Sequence, residues 1–161
     1  MLHTERHIVQ TTWAQVASNA QAVAALFYDR FFELDPSLRQ LFARADMPEQ
    51  GGKLTSVLTI AVTSLDLSED LIPVVEALGR HHAGYGVRDE HYETVGRALL
   101  DTLAAALGPA FTPEARAAWS EVYAALAGVM RRAAKEQEVS LRDGASCHAF
   151  PTRRRPSTAL G

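Results

Sequence analysis

The sequence predicts an all-α protein. Apolar residues return every three or four positions in segment after segment. Alternating runs of β-branched residues are few, and proline, glycine or aspartate stands where each helical stretch must begin or end. No segment reads convincingly as a strand, and no internal repeat is visible.

Thr4 is placed to cap a first helix whose inner face carries Val9, Trp13 and Val16. A second apolar run passes through Val23, Leu26, Phe27 and Phe31 until Asp35-Pro36 breaks it, because proline has no amide hydrogen and restricts the residue before it. A short segment with Leu38, Leu41 and Phe42 follows. Beyond the polar stretch 44–50, a helix with Leu54, Val57, Leu58, Ala61 and Leu65 on one side is amphipathic. Pro73 suits the first turn of a helix that carries Leu71, Val75 and Leu78 and ends near His82. Gly84 and Gly86 stop it. Asp89 is placed to cap the next helix, whose early acids suit its positive end and whose buried face runs Val95, Leu99, Leu103 up to Gly108-Pro109. Thr112-Pro113-Glu114 opens a last helix with Trp119, Val122, Leu126 and Met130 in register and Tyr123 beside them, and it should pack across the whole domain. From about Gln137 the pattern fades into Ser, Gly, Pro and Arg153-Arg154-Arg155, which predicts one domain over 1–136 and a flexible basic tail over 137–161.

A chain of 161 residues with 47% apolar content is sufficient for one domain with a real core. The net charge of −3 conceals an asymmetry: residues 1–130 carry −7 and residues 131–161 carry +4. An acidic body argues against nucleic-acid binding, which needs clustered cations against phosphate. The single cysteine, Cys147, cannot form an internal disulfide and fits a reducing compartment. No leader-like start and no long apolar run is present, so neither secretion nor membrane insertion is expected, and the expected location is the cytoplasm.

The stretch Leu78-Gly79-Arg80-His81-His82-Ala83-Gly84-Tyr85-Gly86-Val87 carries the most information. Counting back from His82, Leu78, Val75 and Leu71 recur at helical spacing, so the imidazole continues an apolar stripe and ends it beside a glycine-broken corner. On the residues alone His82 is either a hydrogen-bonded core histidine or an iron ligand. His81 points about 100° away on the same helix, so only one of the pair can ligate. The stripe selects His82. With no Cys-x-x-Cys-His in the chain, any haem would be held without thioether bonds.

Several pieces combine into a resemblance. Tyr28 with Arg30-Phe31-Phe32, Pro36, Phe42 six residues on, Gln50 thirty-two positions before His82, Lys53-Leu54, the Leu-Gly-Arg-x-His run and His91-Tyr92-x-x-Val95-Gly96 together resemble a globin over residues 4 to about 133. The chain is similar to single-domain bacterial globins and to the haem domain of flavohaemoglobins. The resemblance implies a globin fold of six to eight helices around a non-covalent haem b. It implies His82 as the proximal iron ligand, Phe42 stacked on the porphyrin, and Lys53, Leu54, Leu78, Val87 and Tyr92 in the cofactor site. Tyr28 and Gln50 fall on the distal side.

A phenolic hydroxyl and a carboxamide can both donate to a bound dioxygen that gains negative charge, so high oxygen affinity is expected. Glutamine binds haem iron poorly, which predicts an open, five-coordinate ferrous haem. Gly51-Gly52 costs the distal helix about 1 kcal/mol per glycine and predicts mobility there. In flavohaemoglobins a tyrosine and a glutamate polarise the proximal histidine. Tyr92 matches the first; Ala134 stands at the place of the second, with Glu136 close by.

The leading reading is a reversible dioxygen binder, with carbon monoxide and nitric oxide as further ligands. The enzymatic alternative is a nitric oxide dioxygenase using Tyr28, Gln50 and His82 and a separate reductase. A third reading is a gas or redox sensor acting through the basic tail.

Overall fold

The computed structural model describes residues 2–65, 69 and 71–146. Six α-helices follow one another: α1 (His3–Ala17), α2 (Ala20–Leu34), α3 (Met47–Thr63), α4 (Leu71–Gly84), α5 (Asp89–Leu107) and α6 (Pro113–Ser146). A 3-10 segment, Pro36–Phe42, lies between α2 and α3, and a single 3-10 turn, Gly108–Ala110, lies between α5 and α6. There is no strand among the described residues. The all-α class read from the sequence is the fold observed.

Local chemistry sets the boundaries. Asp35 accepts from the Ser37 amide at 3.1 Å and starts the 3-10 segment, and Asp46 accepts from the Glu49 amide at 3.1 Å to cap α3. Thr112 caps α6 by accepting from the Ala115 amide. Two caps differ from the sequence reading. Thr4 lies inside α1, which is preceded by Leu2, whose amide donates to Glu5 at 2.8 Å. At α5 the capping position is Arg88, whose amide donates to His91 Nδ1 at 2.9 Å, and Asp89 is the first helical residue. A histidine three residues into the helix can serve as acceptor in place of the usual short side chain.

The core is formed mainly by α1, α2, α5 and α6. Val9, Trp13, Phe27, Phe31, Leu99, Leu103, Trp119 and Val122 are all buried in it. Leu26, placed on the inner face of α2 by spacing, is instead 45% exposed. Within the core Trp119 Nε1 donates to Thr12 Oγ1 at 2.9 Å, and at its edge Arg30 Nε on α2 donates to Asp101 on α5 at 2.9 Å.

Helix α6 runs ten residues past the boundary drawn at 136. In that stretch Val139 and Leu141 are exposed, and Arg142 pairs with Glu138 one turn away at 2.6 Å. Residues 137–142 are not organised by a buried stripe, so helical periodicity could not reveal them; an i,i+4 ion pair supports them instead. Cys147 and Arg153-Arg154-Arg155 lie outside the described residues.

Candidate functional site

Helix α4 hangs from α6. Gly79 makes this possible, because a Cβ there would run into the Met130 backbone. Leu71 and Val75 pack on Val129, Leu126 and Met130. By contrast α4 barely approaches α3 among the described residues. Between these helices lies a slot with apolar walls, including Val57 and Ala61 of α3, Val75 and Leu78 of α4 and Leu126 and Met130 of α6.

His82, near the end of α4 and beyond the residues that line this slot, is partly buried, and His81 is exposed. The His82 Nδ1 lies 2.7 Å from the Leu78 carbonyl oxygen, one turn back. Because that carbonyl only accepts, Nδ1 carries a proton, and in the neutral ring the lone pair is then on Nε2. The corner folds onto the same residue: the amides of Tyr85 and Val87 both donate to the His82 carbonyl at 3.1 Å, and Gly86 turns the chain with φ of +86°. Val87, half-buried, is therefore anchored next to the imidazole-bearing turn.

On the facing side, α2 and α3 cross closely at Gly51, where a Cβ would come 3.0 Å from Ala24 Cβ. Gly51 is buried by this contact, and α3 runs unbroken through Gly51-Gly52. The crossing sets Gln50 close enough to Tyr28 for its carboxamide to bear on the phenol. Burial pushes the Tyr28 phenol up from its ordinary pKa, while the Gln50 contact works the other way.

Tyr28 belongs to an aromatic cluster with Phe27, Phe31, Phe32 and Phe42; the Phe42 ring lies 5.6 Å from Tyr28, edge to face. Leu54 is half-buried against the same core. Lys53 is exposed and pairs with Glu49 at 3.6 Å.

Tyr92, on α5, is buried, and its hydroxyl has no hydrogen-bond partner among the described residues. Arg131 covers its ring at 5.2 Å. Tyr123 donates its hydroxyl to the Tyr92 carbonyl oxygen. Its ring fills the space left by Gly96. Ala134 borders a cavity beside Tyr92, together with Glu138; Glu136 is not on that wall. The Tyr92 hydroxyl thus has no hydrogen-bonded carboxylate among the described residues. Sequence spacing did not reveal the roles of Gly51, Gly79 and Arg131, which all depend on what a distant segment brings against them.

The residues present fit a haem. An imidazole whose Nδ1–H is held by a backbone carbonyl leaves Nε2 as the nitrogen that can bind iron, and the half-buried Leu54, Leu78 and Val87 are apolar residues of the kind a porphyrin packs against.

Residues 25–130 match the family model described as Globin. Flavohemoproteins are similar to the chain. One from Bacillus subtilis (strain 168) is 30% identical over 122 residues, covering 74% of this chain and 31% of the relative. One from Rhodopirellula baltica is 34% identical over 124 residues, covering 76% and 30%. One from Bordetella bronchiseptica is 34% identical over 145 residues, covering 86% and 36%. The chain spans about a third of the length of these relatives.

Proposed function

The chain belongs to the globin family and is a haem globin, and from that premise we propose that it binds dioxygen reversibly and tightly on haem b, with His82 as the axial ligand. The observation that supports this reading is the His82 ring held through Nδ1 by the Leu78 carbonyl oxygen, with Tyr28 and Gln50 close to each other on α2 and α3.

Haem, when bound, supplies an iron centre for diatomic gases and one-electron chemistry. The chain's own residues determine how that centre behaves. Leu78 fixes the His82 tautomer and ring orientation through its carbonyl oxygen. The Tyr28 hydroxyl and the Gln50 carboxamide are both able to donate a proton to a gas ligand. Phe42, Leu54, Leu78, Val87 and Tyr92 supply apolar contacts that keep water away, and Lys53, exposed near the slot, is free to exchange Glu49 for a haem carboxylate.

The test is the visible spectrum of the purified protein in ferric, dithionite-reduced and air-exposed forms. A five-coordinate ferrous spectrum that changes on admitting air and holds the change supports the reading. A six-coordinate ferrous spectrum without added ligand contradicts it, because an internal side chain would then occupy the gas position.

The same pocket supports a second reading, nitric oxide dioxygenation, in which dioxygen, nitric oxide and one electron give nitrate. The similarity to flavohemoproteins favours it, since their name pairs haem with a flavin, and a flavin-bearing reductase is the electron donor we propose. Nitrate formed over many turnovers with nitric oxide and a reductase present distinguishes the enzyme from the carrier.

A further inference from the structure

Two neighbouring amides at the α4–α5 corner are held from opposite sides. The Val87 amide donates back to the His82 carbonyl oxygen at 3.1 Å, and the Arg88 amide donates forward to His91 Nδ1 at 2.9 Å. A backbone amide only donates, so His91 Nδ1 is an acceptor and, in the neutral ring, the proton is on Nε2. This is the opposite tautomer to that of His82, whose Nδ1 faces the Leu78 carbonyl oxygen. The two histidines thus close one hydrogen-bonded span, with His82 near the end of α4 and His91 in the first turn of α5.

The α5 end of that span is firmly seated. His91 is only 6% exposed, and its own amide donates to the Arg88 carbonyl oxygen at 3.0 Å, so the two residues are tied twice. Arg131 of α6 donates to the Asp89 carbonyl oxygen at 3.0 Å and pins the same turn from outside. The residues on the α4 side have little packing of their own. Gly84 has open space where a Cβ would stand, Tyr85 is 74% exposed, and Gly86 takes a φ of +86°. The setting of His82 relative to α5 therefore depends on the Val87 and Arg88 bonds. Glutamate or glutamine is the usual acceptor for the amide that precedes a helix, and the imidazole does the same with one rotatable bond fewer, which holds the corner at a fixed length.

We propose that His91 is a positioning residue for the iron ligand: by accepting the Arg88 amide it fixes the corner that ends α4, and with it the setting of the His82 imidazole toward the haem. The proposal rests on the reading of His82 as axial ligand. His91 touches neither haem nor gas in this role and acts through the backbone of Val87 and Arg88.

The experiment compares the full-length, haem-loaded protein with three variants: His91→Leu, which removes the acceptor; His91→Gln, which restores one; and Thr112→Ala, which removes the cap of a different helix, α6. Resonance Raman spectra of the gas-free ferrous forms read the iron–histidine stretching band, and amide hydrogen exchange reads the Arg88 N–H. In His91→Leu the band should shift and broaden, the Arg88 amide should exchange faster, and haem should pass to a scavenging apoprotein about three- to tenfold faster, the size expected for a lost cap. His91→Gln should return all three toward wild type, and Thr112→Ala should lower the urea midpoint without moving the band. The proposal is overturned if the band of His91→Leu is that of wild type, if His91→Gln departs as far as His91→Leu, or if Thr112→Ala shifts the band equally. It is overturned with no variant at all if the wild-type Arg88 amide exchanges as fast as an exposed one. Failure of the His82 reading would look different, because the wild-type protein would then lack an iron–histidine band.

Discussion

The imidazole of His82 is tied to Leu78, one helical turn away, by a 2.7 Å contact between Nδ1 and the carbonyl oxygen. That contact removes one of the ring's two nitrogens from competition and orients the other. His82→Ala should therefore release haem from the purified protein, while His81→Ala, at an exposed position, should retain it. The ratio of Soret to protein absorbance reads both, and equal loss would refute the ligand assignment.

Tyr28 and Gln50 should each slow the escape of dioxygen. A hydrogen bond to a charged partner contributes about 1.5–3 kcal/mol, so Tyr28→Phe or Gln50→Leu should speed dissociation by about ten- to a hundredfold. Because the two side chains lie close together and would share one ligand, the double variant should fall short of the product of the single effects. Stopped-flow displacement of oxygen measures this, and rates unchanged in both single variants would remove these residues from the ligand's surroundings.

Three helical glycines should respond in opposite directions to alanine. Gly52 has open space around its missing Cβ, so Gly52→Ala should stabilise the protein by about 1 kcal/mol through helix propensity alone. Gly79→Ala drives a methyl into the Met130 backbone and should destabilise by about 1–3 kcal/mol despite the same gain. Gly51→Ala, at 3.0 Å from Ala24, should fall between them. Urea midpoints of the haem-loaded variants would order the three.

High pH should loosen the domain through its buried phenols. Burial raises the pKa of Tyr123, Tyr28 and Tyr92 above the ordinary value of 10.0. A group whose folded pKa is raised stabilises the fold fully below its unfolded pKa and loses that contribution as pH climbs from there through the folded value. Stability should be level with respect to these groups below about pH 10 and fall above it, with delayed tyrosinate absorbance as the signature. Tyr123→Phe should flatten part of that fall. A decline in stability tracking ordinary, exposed-tyrosine titration would contradict it.

The helices and the place of His82 were legible because both depend on local order: the Leu71-Val75-Leu78 stripe, the Asp35-Pro36 break and the Gly84-Gly86 corner all act over a few residues. The Tyr28–Gln50 meeting was legible only through resemblance, since its geometric cause is the Gly51–Ala24 crossing between two helices. That crossing reverses the meaning of Gly51, which by propensity marks a weak point and in the fold marks tight packing. Arg88 as a cap was hidden because its partner is a histidine ring rather than a short acidic or hydroxyl side chain. Residues 137–142 were hidden because solvated helices carry no apolar period.

Helix α6 is one uninterrupted rod from Pro113 to Ser146, pinned near its start by Trp119 to α1, gripped at mid-length by α4 through Gly79, and bonded by Arg131 to Asp89. Its outer end projects beyond these fastenings as a lever. One continuous helix therefore ties together the seat of α1, the seat of α4 and the first turn of α5, so a break within it would disconnect all three.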